Sequence, residues 1–260
     1  MPAPRFQIAD LRSGGADLGQ DYFAGVTKDA SKSSELTNPP SFDDPLAAAL
    51  RGFGPLGILA ILIIFAGNLV IIPLSAILVL VWAKLSRTPW REIGYVRPKS
   101  WIGALIVGIV FGVAFKFVMK AIVMPPLGAP AINPAYHYLA GNTAAIPAAL
   151  YFMIIGAGFG EETIFRGWMF ERFGKLFGPG VWAKVLIVLI TSVWFGLDHY
   201  AVQGLPGVEQ STIMGLVFGT IMVITGRIFM LMVAHAAFDL TALAIIYWDI
   251  ESEVAHFIFK

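Results

Sequence analysis

The sequence contains no cysteine, little charge and no excess of basic residues. Without cysteine, the chain has no disulfide, iron–sulfur cluster, Cys-ligated zinc or thiol nucleophile. It also offers no cue to its redox compartment. Charged residues make up 13% of the 260 positions, against roughly a quarter in a soluble domain. That argues against a single water-soluble core. The balance of 18 basic and 17 acidic residues leaves a net charge of +1. Such a chain lacks the basic face that a nucleic-acid binder needs. What is abundant is apolar: 57% of residues, with a mean hydropathy of +0.75. The composition indicates an all-α, polytopic membrane protein, in which the few embedded charges are the informative residues.

Twelve of the 35 charges fall in residues 1–53, a stretch rich in Ser, Gly, Asp and Pro. The segment has no apolar period and is expected to be a mostly disordered tail. It holds no apolar run that could serve as a secretory signal. Residues 54–260 form the membrane domain. Residues 56–85 carry no charge before Lys84 and are read as one long span, tilted or kinked at Pro73. A crossing needs about 20 residues, so two full crossings do not fit. Further spans are expected at 101–123, 145–175, 181–199, 211–225 and 228–248, about six in all, around a polar cavity. Prolines 125, 126, 130 and 134 make an irregular loop after the second span. Gly178-Pro179-Gly180 and Gly204-Leu205-Pro206-Gly207 are turns. No internal repeat is visible.

Lys and Arg gather in alternate loops: 84–100, 166–184 and Arg227 are basic, whereas 124–144 and 200–210 have none. The basic loops are therefore expected on the cytoplasmic side, which puts both termini on the other side.

Three polar clusters interrupt the apolar spans. They are Glu161-Glu162 with Arg166, Phe195 with His199, and His235 with Asp239. Each pairs residues four apart, which share a helix face. Glu162 thus faces Arg166, and Glu161 is left over. Glu161 lies 17 residues before Gly178 and His199 lies 21 after it. At ~1.5 Å per residue, antiparallel helices would place them within ~6 Å of one level. His137, in the irregular loop, and His256, near the C-terminus, look ordinary. Glu161, His199, His235 and Asp239 admit two chemistries. Glu161 and His199 could polarise a water while His235 stabilises an oxyanion. Alternatively, the histidines and carboxylates could bind a divalent metal such as zinc, which activates the water.

The three clusters resemble the motifs of the CAAX-protease and bacteriocin-processing family of intramembrane endopeptidases, often called the Abi family. Glu161, Glu162, Arg166 and Gly167 match its Glu-Glu-x-x-x-Arg motif. Phe195 and His199 match Phe-x-x-x-His, and His235 with Asp239 match His-x-x-x-Asn/Asp. The likeness covers about residues 145–248. It implies Glu161 as the water-activating base beside His199. It implies His235 and Asp239 as oxyanion donors or metal ligands, with Glu162 and Arg166 in support. It further implies a membrane-embedded or lipidated peptide substrate, CAAX-like and prenylated in eukaryotic relatives, and residence in a cell membrane, as in the prokaryotic inner membrane. Asp239 stands where the eukaryotic type has Asn, and an ionised Asp cannot donate to an oxyanion. Two other roles compete: a non-catalytic membrane immunity or scaffold protein, and a small transporter with Glu161, His199 and Asp239 as a proton relay.

Overall fold

The computed structural model describes residues 44–259. The expected disorder of residues 1–43 lies outside the described residues. Among those described, every regular element is helical. The chain opens with α1 (Pro45–Arg51), α2 (Pro55–Val70) and α3 (Leu74–Leu85). Five helices long and apolar enough to cross a membrane follow: α4 (Trp101–Val123), α5 (Thr143–Phe177), α6 (Val181–Asp198), α7 (Tyr200–Thr225) and α8 (Phe229–Tyr247). A short α9 (Glu251–Ala255) ends the fold. The protein is thus a multi-pass helical membrane protein.

Local chemistry explains the boundaries. The Ser100 hydroxyl accepts from the Gly103 N–H and caps α4. Gly178 and Gly226, at φ 85° and 61°, stop α5 and α7 in a conformation that side chains disfavour. The reversal between α6 and α7 is tighter than the sequence suggests. Helix resumes at Tyr200, and the bend falls at Gly204, where φ is 63°.

Residues 56–85 do not form one tilted span. They fold back as a hairpin of α2 and α3. The Asn68 N–H donates to Ser75 Oγ (2.9 Å) and the Ser75 N–H to Asn68 Oδ1 (3.0 Å). At the far end, Trp82 Nε1 donates to the Leu50 carbonyl (3.0 Å). Gly67 permits the close turn, since a Cβ there would lie 2.8 Å from Ser75 N. Helices of 16 and 12 residues are about 24 and 18 Å long, short of the ~30 Å hydrocarbon core. The hairpin therefore dips in and returns to the same face. Its broken backbone at the tip is held by Tyr151, whose hydroxyl donates to the Ile72 carbonyl (2.6 Å). Non-helical backbone at membrane depth persists only where protein or a cavity covers it.

The hairpin also corrects the expected sidedness. Arg51 pairs with Glu92 (2.6 Å), and Arg172 donates to the Arg51 carbonyl (2.8 Å). The chain at Arg51 therefore lies on the same face as loop 84–100, not opposite it. Arg227 joins that face through the Arg97 carbonyl (2.9 Å). Glu251 lies at the other face, near Lys120 (3.5 Å) and the Asn133 N–H (2.9 Å), as expected for the C-terminal side.

Tight backbone packing holds the spans together. A Cβ at Gly112 of α4 would lie 2.2 Å from the Ala234 carbonyl of α8, and one at Gly158 of α5 2.9 Å from the Met232 carbonyl. In lipid there is no hydrophobic drive between helices, so such small-residue contacts and interhelical hydrogen bonds carry the association. They draw α4 and α5 onto α8, the helix that bears His235.

Candidate active site

The polar residues of α5 sit where the helix is locally widened. Phe152–Glu161 and Thr163–Trp168 are π-helical, a rare form often found at functional sites. Glu162 and Arg166 pair as the spacing predicts, at 3.0 Å, with Glu162 fully buried. The Arg166 guanidinium also lies over the Phe195 ring, 4.3 Å from its centroid, a cation–π contact. Phe195 thus links the first motif to the second.

The two histidines are held differently. His199 Nδ1 lies 2.7 Å from the Phe195 carbonyl. A carbonyl can only accept, so Nδ1 carries a proton, and in neutral His199 Nε2 is a free acceptor. His235 Nδ1 lies 2.7 Å from Glu162 Oε1 and donates by the same reasoning. Its Nε2 is 3.7 Å from Glu161 Oε2 and 3.8 Å from Asp239 Oδ2. Arg166, Glu162 and His235 thus form a buried chain whose free end is the His235 Nε2, between two carboxylates.

Glu161, His199, His235, Asp239 and Phe195 all line one cavity of about 760 Å³. Glu161 and Asp239 keep 27% side-chain exposure, whereas Glu162 and Arg166 are packed behind the lining. Glu161 Oε2 is buried without a hydrogen-bond partner. A part-exposed carboxylate, an imidazole beside the cavity and a second imidazole fixed by a buried carboxylate can together activate water and stabilise an oxyanion.

The cavity also holds residues that the sequence reading passed over. Lys116 and Lys120 line it from α4, as do Tyr136 and Gln210. The signal was present, because these are the two charges within 101–123 and charges inside a span are costly. Glu251 is buried rather than part of an exposed end, and it bonds His137 (3.1 Å). His137 therefore belongs to a network. His256 bonds only residue Ser252 of its own turn. Tyr136 lies in the loop before α5. Burial, and then the charges of Asp239 and Glu161, raise its phenol pKa above the usual value. It remains a proton donor beside the site.

Among the described residues no three His, Asp or Glu side chains are arranged to hold a metal ion.

Residues 143–241 match the family model described as type II CAAX prenyl endopeptidase Rce1-like. That segment, which runs from the start of α5 into α8, is similar to the type II CAAX prenyl endopeptidase Rce1-like family. The three motifs lie inside the segment; α1 to α4 lie outside it. No match is found among curated proteins or among solved structures.

Proposed function

We propose that the protein is an intramembrane endopeptidase that hydrolyses a peptide bond of a membrane-associated substrate, lipidated or CAAX-like, by water activated at Glu161. The similarity of residues 143–241 to the Rce1-like family supports a CAAX-type protease at that general level. The observation that carries the mechanism is the convergence on one cavity of Glu161, which keeps 27% side-chain exposure, and His199, whose Nδ1 is turned to the Phe195 carbonyl.

A water held between Glu161 and His199 passes a proton to the Glu161 carboxylate as its oxygen bonds to the substrate carbonyl carbon. The carbonyl π pair moves onto oxygen. His235, with Nδ1–H held by Glu162, offers Nε2–H to that oxyanion, and Asp239 orients the ring. When the intermediate collapses, the carbonyl re-forms and the C–N bond breaks. The leaving amine takes the proton from Glu161, which restores the carboxylate. The site would serve a substrate presented at a prokaryotic inner membrane.

The test is hydrolysis of a quenched lipopeptide by purified protein in liposomes. Wild type cleaves, and Glu161→Gln and His199→Ala do not, while both variants remain folded. Full activity in either variant sinks the assignment and leaves a non-catalytic membrane role. Adding EDTA and then zinc separates the two chemistries. Unchanged rates support glutamate-activated water, whereas loss with EDTA and recovery with zinc assign the step to a metal.

A further inference from the structure

The cavity draws on one end of every span. Among the described residues, α4 contributes nothing to it before Lys116, α5 nothing after Glu161 and α6 nothing before Phe195. α7 contributes nothing after Met214 and α8 nothing before His235. Each helix thus meets the cavity with the end nearer Glu251, and Glu251 itself lines it. At the rim, Tyr138 of the loop after α4 is 64% exposed. Toward the other face the passage stops. Glu162 to Met169, which follow Glu161 in α5, are all buried. Tyr95 closes on Thr163 (2.7 Å), and Trp82 packs edge-on against Trp168 with ring centroids 6.3 Å apart. A Cβ on Gly167 would lie 3.0 Å from the Ile93 carbonyl, so backbone packs against backbone there. The sealed side is also the shorter one: His235 lies six residues after Phe229 and twelve before Tyr247. Distance along the helix therefore does not set the entrance; packing does.

Charge tells the two faces apart. The sealed face carries Lys84, Arg87, Arg91, Arg97 and Lys99 in one loop, Lys175 and Lys184 around the next, and Arg227. On the open face, loops 124–144 and 200–210 have no Lys or Arg, and 248–260 has only Lys260. Basic loops of a membrane protein stay in the cytoplasm. We propose that substrate reaches Glu161 only from the face opposite the cytoplasm, and that it is a membrane-anchored peptide whose cleaved segment lies on that outer side. This rests on the endopeptidase reading above and names the substrate class for the same site. Lys116, Lys120 and Glu251 line the passage, and charges at membrane depth face the bundle interior or a water-filled cavity. The same path delivers the water that hydrolysis consumes. The twelve residues from His235 to Tyr247 span about 18 Å. An extended chain advances about 3.3 Å per residue, so the substrate needs about five extended residues to reach the site from the outer surface.

The chain has no native cysteine, so single cysteines report sidedness directly. Tyr138→Cys at the rim, Gln203→Cys in the cavity lining and Lys99→Cys in loop 84–100 are each made in the full chain. Right-side-out and inside-out vesicles of the expression host are treated with a membrane-impermeant maleimide. Tyr138→Cys and Gln203→Cys are expected to label at least tenfold faster in right-side-out vesicles, and Lys99→Cys in inside-out ones. The reverse pattern overturns the proposal, and so does equal labelling of Gln203→Cys from both faces. Ala145→Cys, a second lining position, gives the same reading where Gln203→Cys does not fold. Cleavage is measured by adding a quenched lipopeptide, confined to the leaflet it enters, to the same two preparations of wild type. Vesicles with Glu161→Gln serve as the blank. Hydrolysis at least tenfold faster in right-side-out vesicles is expected. Equal or faster hydrolysis in inside-out vesicles overturns the outer-face substrate while the endopeptidase reading stands. If labelling follows the expected pattern and neither preparation cleaves, the outer entrance holds and the endopeptidase reading fails.

Discussion

Glu162 Oε1 accepts the Nδ1–H of His235 at 2.7 Å and is ion-paired with the guanidinium of Arg166 at 3.0 Å. The second glutamate of the first motif therefore orients the third motif, and leaves Glu161 free to meet water. On this arrangement Glu162→Gln weakens the hold on the imidazole without emptying the cavity. Its expected effect is a fall in kcat on the order of 10²-fold or more, the scale of acid–base contributions, with KM nearly unchanged. A rise in KM at constant kcat would show instead that Glu162 shapes substrate binding.

Arg166 predicts a different outcome, because removing it strands a carboxylate with no exposure. Breaking a buried pair from one side typically costs about 3–5 kcal/mol. Arg166→Leu should therefore lower thermal stability sharply, as read by a thiol-free unfolding assay in detergent. The double variant Arg166→Leu with Glu162→Gln should regain much of that stability while remaining inactive. If the double variant is no more stable than the single, the two residues are not coupled.

The hairpin is directly testable in a chain with no native cysteine. Asn68 and Ser75 exchange hydrogen bonds across the turn, so Asn68→Cys with Ser75→Cys should oxidise to an intramolecular disulfide. Thiol titration then finds no free sulfhydryl after mild oxidation. On a continuous helix these positions lie about 10 Å apart along the axis, too far for a disulfide, and two free thiols would remain.

Tyr95 reports on the seam between loop 84–100 and α5. Its hydroxyl lies 2.7 Å from Thr163 Oγ1, and burial pushes its pKa up to about 12. A phenol ionises near 10 when unfolded. Its contribution to stability is therefore complete below pH 10 and is lost as pH rises toward 12. Tyr95→Phe should cost about 1 kcal/mol at neutral pH. The gap between wild type and variant should close above pH 10 in parallel unfolding curves. A gap that stays constant to pH 12 would contradict the assignment.

The site was more legible in the sequence than the fold around it. A charge within a lipid-embedded helix is costly, so Glu161, Glu162, Arg166 and Asp239 stood out against an apolar background. Spacing of four then paired Glu162 with Arg166, and the structure keeps that pair. The bond from Glu162 to His235 joins residues 73 apart in the chain, and no periodicity announces such a contact. Residues 56–85 misled because hydropathy cannot tell a tilted helix from a hairpin. Both are apolar throughout, and Pro73 suits a kink as well as a reversal. Lys116 and Lys120 carried the same signal as the glutamates. They went unread because that span offered no motif to draw attention to them.

The pairing of Glu162 with Arg166 lies within a single helix, one turn apart. The two charges can therefore neutralise each other as soon as α5 becomes helical, before α6, α7 and α8 are made. Of the three charges in the middle of α5, Glu161, Glu162 and Arg166, only that of Glu161 would then enter the bilayer unpaired. His235, arriving some seventy residues later in synthesis, would find its acceptor already in place. The support of the active site would thus be laid down during biogenesis, ahead of the ring it orients.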